Sequence, residues 1–566
     1  LTFLTLSENP IKFVSPNAFD QLFNLKQLLL SQNMLSELAN YTFKDLSSLE
    51  LRDLSINKLE HLSRFTFHGL KRLKQLNLNR NLLVAFDAAT FDDMLSLSHL
   101  SLITNLIRHL NASSFNSTGL SNLVSLSLDY NPIELIEENC CFSFTSIVRI
   151  DMRYCDSIEM IRKNSFIGGL NHLKVLDFAN SNLKSIESNA FNGLEMLEEL
   201  ILNENQLTQL ENHTFNGLKK LLKLSLSNNN ISIIREQAFH GLDSLQYLDL
   251  DSNSLTKLVE CRFVGMPSLR EINLVNLKLD EHSIEKNSFY GLEKLSVLKL
   301  ENYKLNRLRA FSFNGLNQLT ELEINECSVA DIDENAFYGL ETSLLILDLA
   351  FNKLSEIKSN YFFATTSLGA ARLSTLNLES NQIGLIEAHS FRSLTNLTTL
   401  ILNNNRLKHL QTNLFTGLVN LFMIKLNKCN VEKIDANVFN GLSKLEIVDL
   451  GQLFVESLIR NTFNGLESLA VLNVNAYIIK KIEPYAFYGL TSLVKLIVPP
   501  NPIETLYEYS FVGLKNLLQL SISGSKIREI QNYTFVGLER LRELNLSSNL
   551  IEQLQVNSFD CLRSLT

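Results

Sequence analysis

Tyrosine and arginine side chains are concentrated in one stretch of the chain, at Tyr130, Arg149, Asp151, Arg153 and Tyr154. Aromatic rings and guanidinium groups often anchor protein interfaces, because they bury a large area and also form hydrogen bonds. These five residues form a candidate partner-binding cluster if they lie on adjacent strands. The alternative is ordinary side-chain variety on a large exposed surface.

A second group of candidate residues is acidic and extends over a longer stretch. Lys223 and Lys299 are the main positive charges that lie among its members. The members are Glu199, Glu204, Asp249, Asp251, Glu271, Glu301, Glu321, Glu323 and Glu326. Like charges on neighbouring strands repel one another, although water reduces the cost at an exposed face. A basic protein partner or a bound cation would explain the arrangement, and a solvated face without a partner is the alternative.

Groups suited to catalysis are not gathered at any point in the sequence. The ten histidines are scattered, and there is no G-x-S-x-G, P-loop, H-E-x-x-H, EF-hand loop or paired C-x-x-C motif. We therefore predict a protein that is not an enzyme, with no catalytic residues, no cofactor and no dedicated metal site. The net charge of −9 gives no electrostatic reason to expect a nucleic acid or an anionic membrane as partner.

The elements that position the candidate residues follow from a repeat. Between Asn9 and Asn549 the chain returns to one phrase, most clearly in residues 189–212, and most intervals are 24 residues long. A fixed period of this length indicates stacked units, each of which buries its apolar face against its neighbours. Residues 1–566 are therefore predicted to form a single solenoid of about 23 repeats without linkers.

Three positions of the repeat carry structural predictions. Leu200 and Leu202 alternate with polar or exposed positions, as in a strand with one buried face. Asn205 and its equivalents are expected to hydrogen-bond unpaired backbone groups inside the turn and so to form a ladder along the molecule. Gly193 follows Phe191 by two residues, and a glycine at this fixed offset indicates a positive φ or a close approach of the neighbouring coil.

The repeat predicts the fold class of an α/β solenoid. Short strands stack side by side into a parallel sheet, and wider, largely irregular segments lie on the other side. This packing predicts a curved arc with a concave parallel β-sheet and a largely irregular convex side. The exposed strand residues of the concave face would form the binding surface.

Two features depart from the repeat. Arg52 occupies an inward-facing strand position, which would bury a charge. The intervals are uneven from 277 to 381, and extra residues near 280–283 and 367–372 are predicted to bulge from the coil, where loops often carry function. Drift in a long repeat array would explain the uneven spacing equally well.

Seven cysteines are too few, and odd in number, for a disulfide framework. Three of them replace the turn asparagine and are predicted to be buried structural thiols, namely Cys155, Cys327 and Cys429. Cys141 replaces the repeat phenylalanine and should also point inward. Cys140 and Cys261 fall outside these patterns, and Cys140 is either inert or bridges to another molecule.

N-linked glycosylation is predicted at N-x-[ST] sequons. They occur at Asn40, Asn111, Asn116, Asn212, Asn230, Asn396, Asn532 and Asn545. Three of these share the phrase N-x-T-F and therefore one place on the outer coil, where a glycan would project freely. Asn545 instead lies between two strand leucines, so a glycan there would cover the strand surface.

The consensus LxxLxLxxNxLxxLxxxxFxGL resembles the leucine-rich repeat, in the 24-residue form with a phenylalanine spine found in extracellular proteins. The resemblance covers essentially the whole chain and extends to Toll-type receptor ectodomains and chaoptin-like adhesion proteins. Slit-like guidance proteins fit less well, because their cysteine caps would divide the chain into short blocks. The chain shows no terminal caps, so we expect a fragment of a longer protein, with end-to-end association as the alternative.

The resemblance implies a non-catalytic extracellular protein, secreted or tethered to the cell surface. It would bind a protein ligand, or associate with itself, through the concave face and flanks, in recognition or adhesion. The alternative is a structural subunit of an extracellular matrix or fibre that assembles through the ends or flanks of the solenoid. No run of 18 apolar residues is present, so no transmembrane segment is predicted within this chain.

Overall fold

The computed structural model describes residues 1–566 except residues 112, 260, 261, 281, 285, 286 and 363–370. The chain packs as two compact units. Unit 1 comprises Leu1–Lys278 with Ser288–Leu295, and unit 2 comprises Leu279–Asn287 with Ser296–Thr566. Each unit is a stack of coils, and the exposed face of its parallel sheet is called the strand face below.

The sheet of unit 1 takes one short strand from each coil, and each strand pairs in parallel with the next one along the chain. The pairing is in register from coil to coil, so that Leu200 lies beside Leu224. The strands are Phe3–Thr5, Gln27–Leu29, Leu51–Asp53, Gln75–Asn77, His99–Ser101, Ser125–Ser127, Arg149–Asp151, Val175–Asp177, Glu199–Ile201, Lys223–Ser225, Tyr247–Asp249 and Glu271–Asn273.

Unit 2 has the same arrangement in two consecutive parallel ladders. The first contains Val297–Glu301, Glu321–Asn325, Ile346–Asp348, Thr375–Asn377, Thr399–Ile401, Met423–Lys425 and Ile447–Asp449. The second contains Val471–Asn473, Lys495–Ile497, Gln519–Ser521 and Glu543–Asn545.

The other side of each coil consists mainly of turns, with short parallel strand pairs and very little helix. The pairs of unit 1 are His109–Leu110 with Leu135–Ile136, Met160–Ile161 with Ser185–Ile186, and Gln209–Leu210 with Ile233–Ile234. Those of unit 2 are Arg307–Leu308 with Asp331–Ile332, Glu356–Ile357 with Leu385–Ile386, His409–Leu410 with Lys433–Ile434, Ser457–Leu458 with Lys481–Ile482, and Thr505–Leu506 with Glu529–Ile530. Two 3₁₀ helices, Ala88–Phe91 and Thr118–Leu120, lie in unit 1.

The parallel-strand solenoid and its largely irregular second side confirm the predicted fold class. The predicted core is also present, because Leu200 and Leu202 are fully buried. Phe191, Phe215 and Phe239 stack with ring centroids 6.1 and 6.0 Å apart, which extends the apolar core from coil to coil. No helix in the described part of the chain is long and apolar enough to cross a membrane.

The asparagine ladder has the predicted geometry. The side-chain amide of Asn205 donates to the carbonyl of Phe178 in the preceding coil at 2.8 Å and to that of Leu202 at 3.0 Å. Its Oδ1 accepts from the backbone N–H groups of Ser181 and Leu183 at 3.0 and 2.9 Å. Each ladder asparagine therefore joins two coils through backbone groups that the turn leaves unpaired.

Replacing Asn205 by alanine is expected to destabilise the surrounding coils of unit 1 by about 2 kcal/mol or more, because several buried backbone groups lose their partners at once. Asn203→Ala is the matched control, since this amide lies on the strand face and its side chain has only a 3.4 Å contact with Glu204. Hydrogen exchange of Val175–Asp177 and Glu199–Ile201 measures the local effect. Equal protection in both variants would contradict a structural role for the ladder.

The repeat glycines have the predicted positive φ, for example +94° at Gly193. Gly465 shows the second predicted reason, close approach of a neighbouring coil. With φ of +104°, a Cβ atom added there would lie 2.2 Å from the carbonyl oxygen of Phe439. Any larger residue would therefore force the two coils apart.

The strand pairing of unit 2 is interrupted between two consecutive coils. Among the described strands, Ile447–Asp449 does not pair with Val471–Asn473, and Leu453 instead forms a bridge with Ala476. Tyr477, which the register places at a ladder position, is 51% exposed, whereas Ala476 is buried. In this coil the small Ala476 is therefore the residue that faces inward, and Tyr477 faces solvent.

The irregular segments are described only in part. Near 280–283, Ser283 donates to the Asp280 carboxylate at 2.7 Å and the His282 N–H donates to it at 2.9 Å, which forms a compact turn. Residues 281 and 367–370 of the two predicted bulges, and Cys261, lie outside the described residues. Arg52 is 1% exposed, which confirms its predicted inward position.

Candidate binding surface

The predicted tyrosine and arginine residues come together on the strand face of unit 1. Arg149 and Asp151 lie on a strand as predicted, whereas Tyr130, Arg153 and Tyr154 lie in the turns that follow the strands. Tyr130 and Tyr154 stack in parallel, with ring centroids 4.5 Å apart and an interplanar angle of 7°. Tyr130 is 52% exposed, and Tyr154 is 39% exposed. Together with Arg149, Asp151 and Arg153, these rings form a surface that we call the tyrosine–arginine cluster.

Each arginine of the cluster is held by carboxylates. Arg149 donates from Nε to both oxygens of Asp151, at 2.9 and 3.0 Å. Arg153 donates from Nε and Nη2 to Asp129 Oδ2, at 3.2 and 2.7 Å. Asp177 lies within 4 Å of both guanidinium groups, at 3.8 and 3.9 Å. The guanidinium planes are therefore fixed in position before any partner arrives.

Sequence reasoning missed Asp129 and Asp177, which complete the cluster. Asp177 occupies the same strand position as Asp151, one coil later, and Asp129 immediately precedes Tyr130. Both side chains are buried beneath the arginines. Both positions were available from the repeat register, because Asp129 holds the place of Arg153 one coil earlier. The burial of Asp129 depends on its contact with Arg153.

The ionisation of the cluster follows from these contacts. Hydrogen bonding to Asp151 raises the pKa of Arg149, and hydrogen bonding to Asp129 raises that of Arg153. Burial raises the pKa of the Asp177 carboxyl, and a hydrogen bond from the Ala179 N–H partly offsets this effect. Both arginines thus stay charged, with their heads partly exposed beside the tyrosine rings.

The two tyrosines occupy a strained backbone position. The residue before each turn asparagine, or its substitute, is repeatedly left-handed, and φ is 57° at Tyr130 and 56° at Tyr154. Asn180 and Asn228 fill the same position in later coils, and asparagine tolerates this conformation better than an aromatic residue. Ile56, Thr104 and Phe351 also adopt it, so the left-handed turn is a property of the repeat, and it carries the two tyrosine rings to the exposed surface.

The acidic residues of unit 1 lie on the same strand face. Glu199, Lys223, Tyr247 and Glu271 line a hollow of about 470 Å³ on consecutive strands. Burial raises the pKa of the nearby Asp249, and a hydrogen bond from the Asp251 N–H partly offsets this effect. Lys223 pairs across the strands with Glu199 and so separates the acidic neighbours, as predicted.

A second hollow of unit 1, of about 780 Å³, lies on the rim of the strand face. Its lining is entirely polar and includes Asp156, Asn180, Glu204 and Asn228. Asn180 donates from its side chain to the Glu204 carboxylate at 2.5 Å. Glu204 is thus placed beside amides rather than beside the other acidic residues.

The acidic residues of unit 2 form a separate group. Glu321 and Glu323 project from the same face of strand Glu321–Asn325, with Lys299 of the adjacent strand 3.6 Å from Glu323. Burial, followed by a hydrogen bond with Glu323, raises the pKa of Glu321. Glu301 ends strand Val297–Glu301, and Glu326 follows the neighbouring strand in a left-handed conformation.

Replacing Glu321 by glutamine is expected to change how the stability of unit 2 depends on pH. A carboxyl whose folded-state pKa is raised adds stability below its unfolded pKa, about 4.3, and this contribution is lost as pH rises through the folded value. The melting temperature of Glu321→Gln relative to the wild type should therefore increase from pH 4 to pH 7. Glu467→Gln, an exposed carboxylate elsewhere in unit 2, is the control and should show no comparable trend.

The candidate glycosylation sites are accessible. Asn40, Asn212 and Asn532 are exposed, and the threonine hydroxyl of each sequon donates to a backbone carbonyl in its own turn. Asn116, Asn230 and Asn396 are also exposed, and Asn111 is half-buried with its Oδ1 accepting from Ser113. Asn545 ends strand Glu543–Asn545 on the strand face, as predicted.

The cysteines at ladder positions are buried thiols, as predicted. Cys327 and Cys429 donate to the carbonyls of Leu300 and Leu402, each at 3.1 Å, and burial raises the pKa of Cys327 to about 12. Cys141 also points inward. The idea that Cys140 bridges to another molecule is wrong for this structure, because its side chain is buried and its sulfur faces Cys141.

Two sequence families match the chain. The leucine-rich repeat model matches residues 1–55, 53–107, 154–207, 197–255 and 371–431. The BspA-type leucine-rich repeat region matches residues 271–378 and 456–566. Together these matches leave only three short stretches of the chain uncovered, and neither of them indicates an enzyme. No curated protein matches the sequence.

Solved structures with the same fold include receptor ectodomains. One is the crystal structure of the TLR13–ssRNA13 complex. The match spans 99% of this chain and 83% of the chain in that structure, with a TM-score of 0.53 and 25% identity. Another is the glycosylated Toll–Spatzle complex of Drosophila. The match spans 97% of this chain and 81% of the chain in that structure, with a TM-score of 0.55 and 17% identity. The second likeness concerns the fold alone.

Proposed function

Because this chain belongs to the leucine-rich repeat family, we propose that it is a non-catalytic extracellular recognition protein. It binds a protein partner through the strand face of unit 1. The observation that carries the proposal is the tyrosine–arginine cluster, in which exposed aromatic rings lie beside arginines already fixed by buried carboxylates.

The chemistry of the cluster favours a protein partner. Tyrosine and arginine are enriched among the side chains that contribute most to protein–protein affinity. Since Arg149 and Arg153 are already ordered by Asp151 and Asp129, binding costs little side-chain entropy at these positions. The hydroxyl and guanidinium groups that remain exposed can pair with polar groups of the partner.

RNA is the competing partner, because the TLR13 structure is a complex with ssRNA13. Binding to single strands requires a positively charged groove that follows the phosphates. Here the arginine charges are matched by Asp129, Asp151 and Asp177. The following strands carry Glu199, Asp249 and Glu271, which would repel a phosphate backbone. These charges support a protein rather than RNA.

An extracellular location and N-linked glycans belong to the same proposal. They are supported by the likeness to the receptor of the TLR13–ssRNA13 complex and by the exposure of the three N-x-T-F sequons. A glycan at Asn40, Asn212 or Asn532 would leave the strand face free, whereas one at Asn545 would cover the strand face of the last coils of unit 2. Recognition by unit 1 is therefore compatible with glycosylation at all three outer sites.

The test is a binding screen of the purified full chain against an array of extracellular proteins, with single-stranded RNA oligonucleotides and a second copy of the chain as further arms. We expect saturable binding to an extracellular protein that is lost in Arg149→Ala/Arg153→Ala. Lys425→Ala/Lys495→Ala, on the strand face of unit 2, is the matched control and should bind normally. Binding to RNA alone, self-association alone, or protein binding that survives the arginine changes would contradict the proposal.

A further inference from the structure

Two adjacent cysteines interrupt the phenylalanine spine of unit 1. The sulfur atoms of Cys140 and Cys141 lie 3.0 Å apart. This separation is about 1 Å longer than a disulfide bond. Cys140 is 1% exposed and Cys141 is 7% exposed, so the two thiols face each other inside the coil rather than solvent.

The surrounding packing holds this pair in place. Cys141 occupies the spine position, and Phe144 fills the space that a spine phenylalanine would take, with its ring 5.1 Å from that of Phe115. In the next coil, Gly169 lies so close that a Cβ atom there would be 2.1 Å from the Cys141 carbonyl oxygen. The Cys141 carbonyl is therefore packed closely against the backbone of the next coil.

We propose that Cys140 and Cys141 form a disulfide with each other and that this pair is an oxidation site of the protein. A bond forms between the two Sγ atoms. The two thiol protons and two electrons pass to an oxidant of the disulfide class, whose own sulfur–sulfur bond breaks to give two thiols. The sequence adjacency of the two cysteines keeps the second thiol available once the first has formed a mixed disulfide.

The reduced pair is protected from other reactions. A hydrogen bond between Cys141 and Cys140 raises the pKa of the Cys141 thiol, and burial raises it further. Little thiolate is therefore present at neutral pH. Oxidation therefore proceeds slowly in the folded protein, during local opening of the turn, and readily while the chain is folding. External reagents reach the pair only when the turn is open.

The experiment uses the full chain and glutathione disulfide as the oxidant, so it does not depend on the proposed function. The protein is denatured and refolded with excess glutathione disulfide, quenched in acid, alkylated under denaturing conditions and digested for mass spectrometry. We expect the peptide with both cysteines to be unalkylated and to weigh two hydrogen atoms less than the same peptide with two free thiols. After reduction it should carry two alkyl groups.

The peptides of Cys327 and Cys429 are the control, because each contains one thiol, which should be alkylated or carry glutathione in the same digest. In Cys140→Ser and Cys141→Ser, the remaining thiol should be labelled or carry glutathione. The proposal is overturned if both cysteines of the wild-type peptide are alkylated, if either carries glutathione, or if either is joined to a cysteine elsewhere in the chain.

Discussion

Replacing Arg52 by leucine is expected to stabilise the first coils of unit 1 by about 3 to 5 kcal/mol, the range associated with an uncompensated buried charge. Arg52 is 1% exposed, and among the residues that the structure describes none forms a hydrogen bond with its guanidinium nitrogens. Its guanidinium carbon lies 3.1 Å from the centre of the Phe43 ring, which provides a cation–π contact but no counter-charge. Desolvation holds the pKa of Arg52 well below its usual value.

The neighbouring coils indicate what this position requires. Leu28 and Leu76 flank Arg52 in the sheet and are both buried, so leucine fits without a change of register. Hydrogen exchange of Gln27–Leu29, Leu51–Asp53 and Gln75–Asn77 measures the local gain, since a long repeat array does not unfold in one step. Arg72→Leu, at an exposed position, is the control. Reduced protection in Arg52→Leu would show that Arg52 has a stabilising role that its contacts do not reveal.

Replacing Tyr130 and Tyr154 together by asparagine is expected to weaken partner binding strongly with little change in stability. Removal of two central aromatic anchors weakens an interface by about 3 kcal/mol or more, which is roughly a 150-fold rise in Kd. The stability change should stay within about 1 kcal/mol, because the lost ring stacking is offset by relief of two left-handed backbone positions.

This combination separates a functional role from a structural one. If the tyrosines served the fold, their replacement would lower the melting temperature of unit 1 together with its binding. Thermal unfolding and titration of the partner found in the screen are the two measurements. Tyr477→Ala removes an exposed tyrosine from unit 2 and should leave both unchanged. Retained binding in the double variant would contradict the role of the stacked rings.

Much of the fold was predictable because the repeat fixes which side chains face inward. The ladder of Asn205, the left-handed Gly193 and the burial of Arg52 all follow from register alone. The strand-face position of Tyr130, Arg149 and their neighbours follows in the same way, since parallel strands in register bring equivalent positions together.

Other features depend on contacts between coils that a register does not specify. Asp129 is buried because Arg153 of the next coil covers it. Cys140 is buried rather than exposed, with its sulfur against that of Cys141. Ala476 rather than Tyr477 faces inward where the strand pairing of unit 2 is interrupted. Such side-chain choices are decided by packing and not by periodicity.

Hydrogen exchange of the full chain with and without its bound extracellular protein partner tests recognition through the strand face of unit 1. We expect slower exchange in Ser125–Ser127, Arg149–Asp151 and Val175–Asp177, the strands beside the tyrosine–arginine cluster, and in the turns at Tyr130 and Tyr154. We expect no change in Lys495–Ile497 and Gln519–Ser521 of unit 2. Protection confined to unit 2, or to the outer turns of unit 1, would contradict recognition through this strand face.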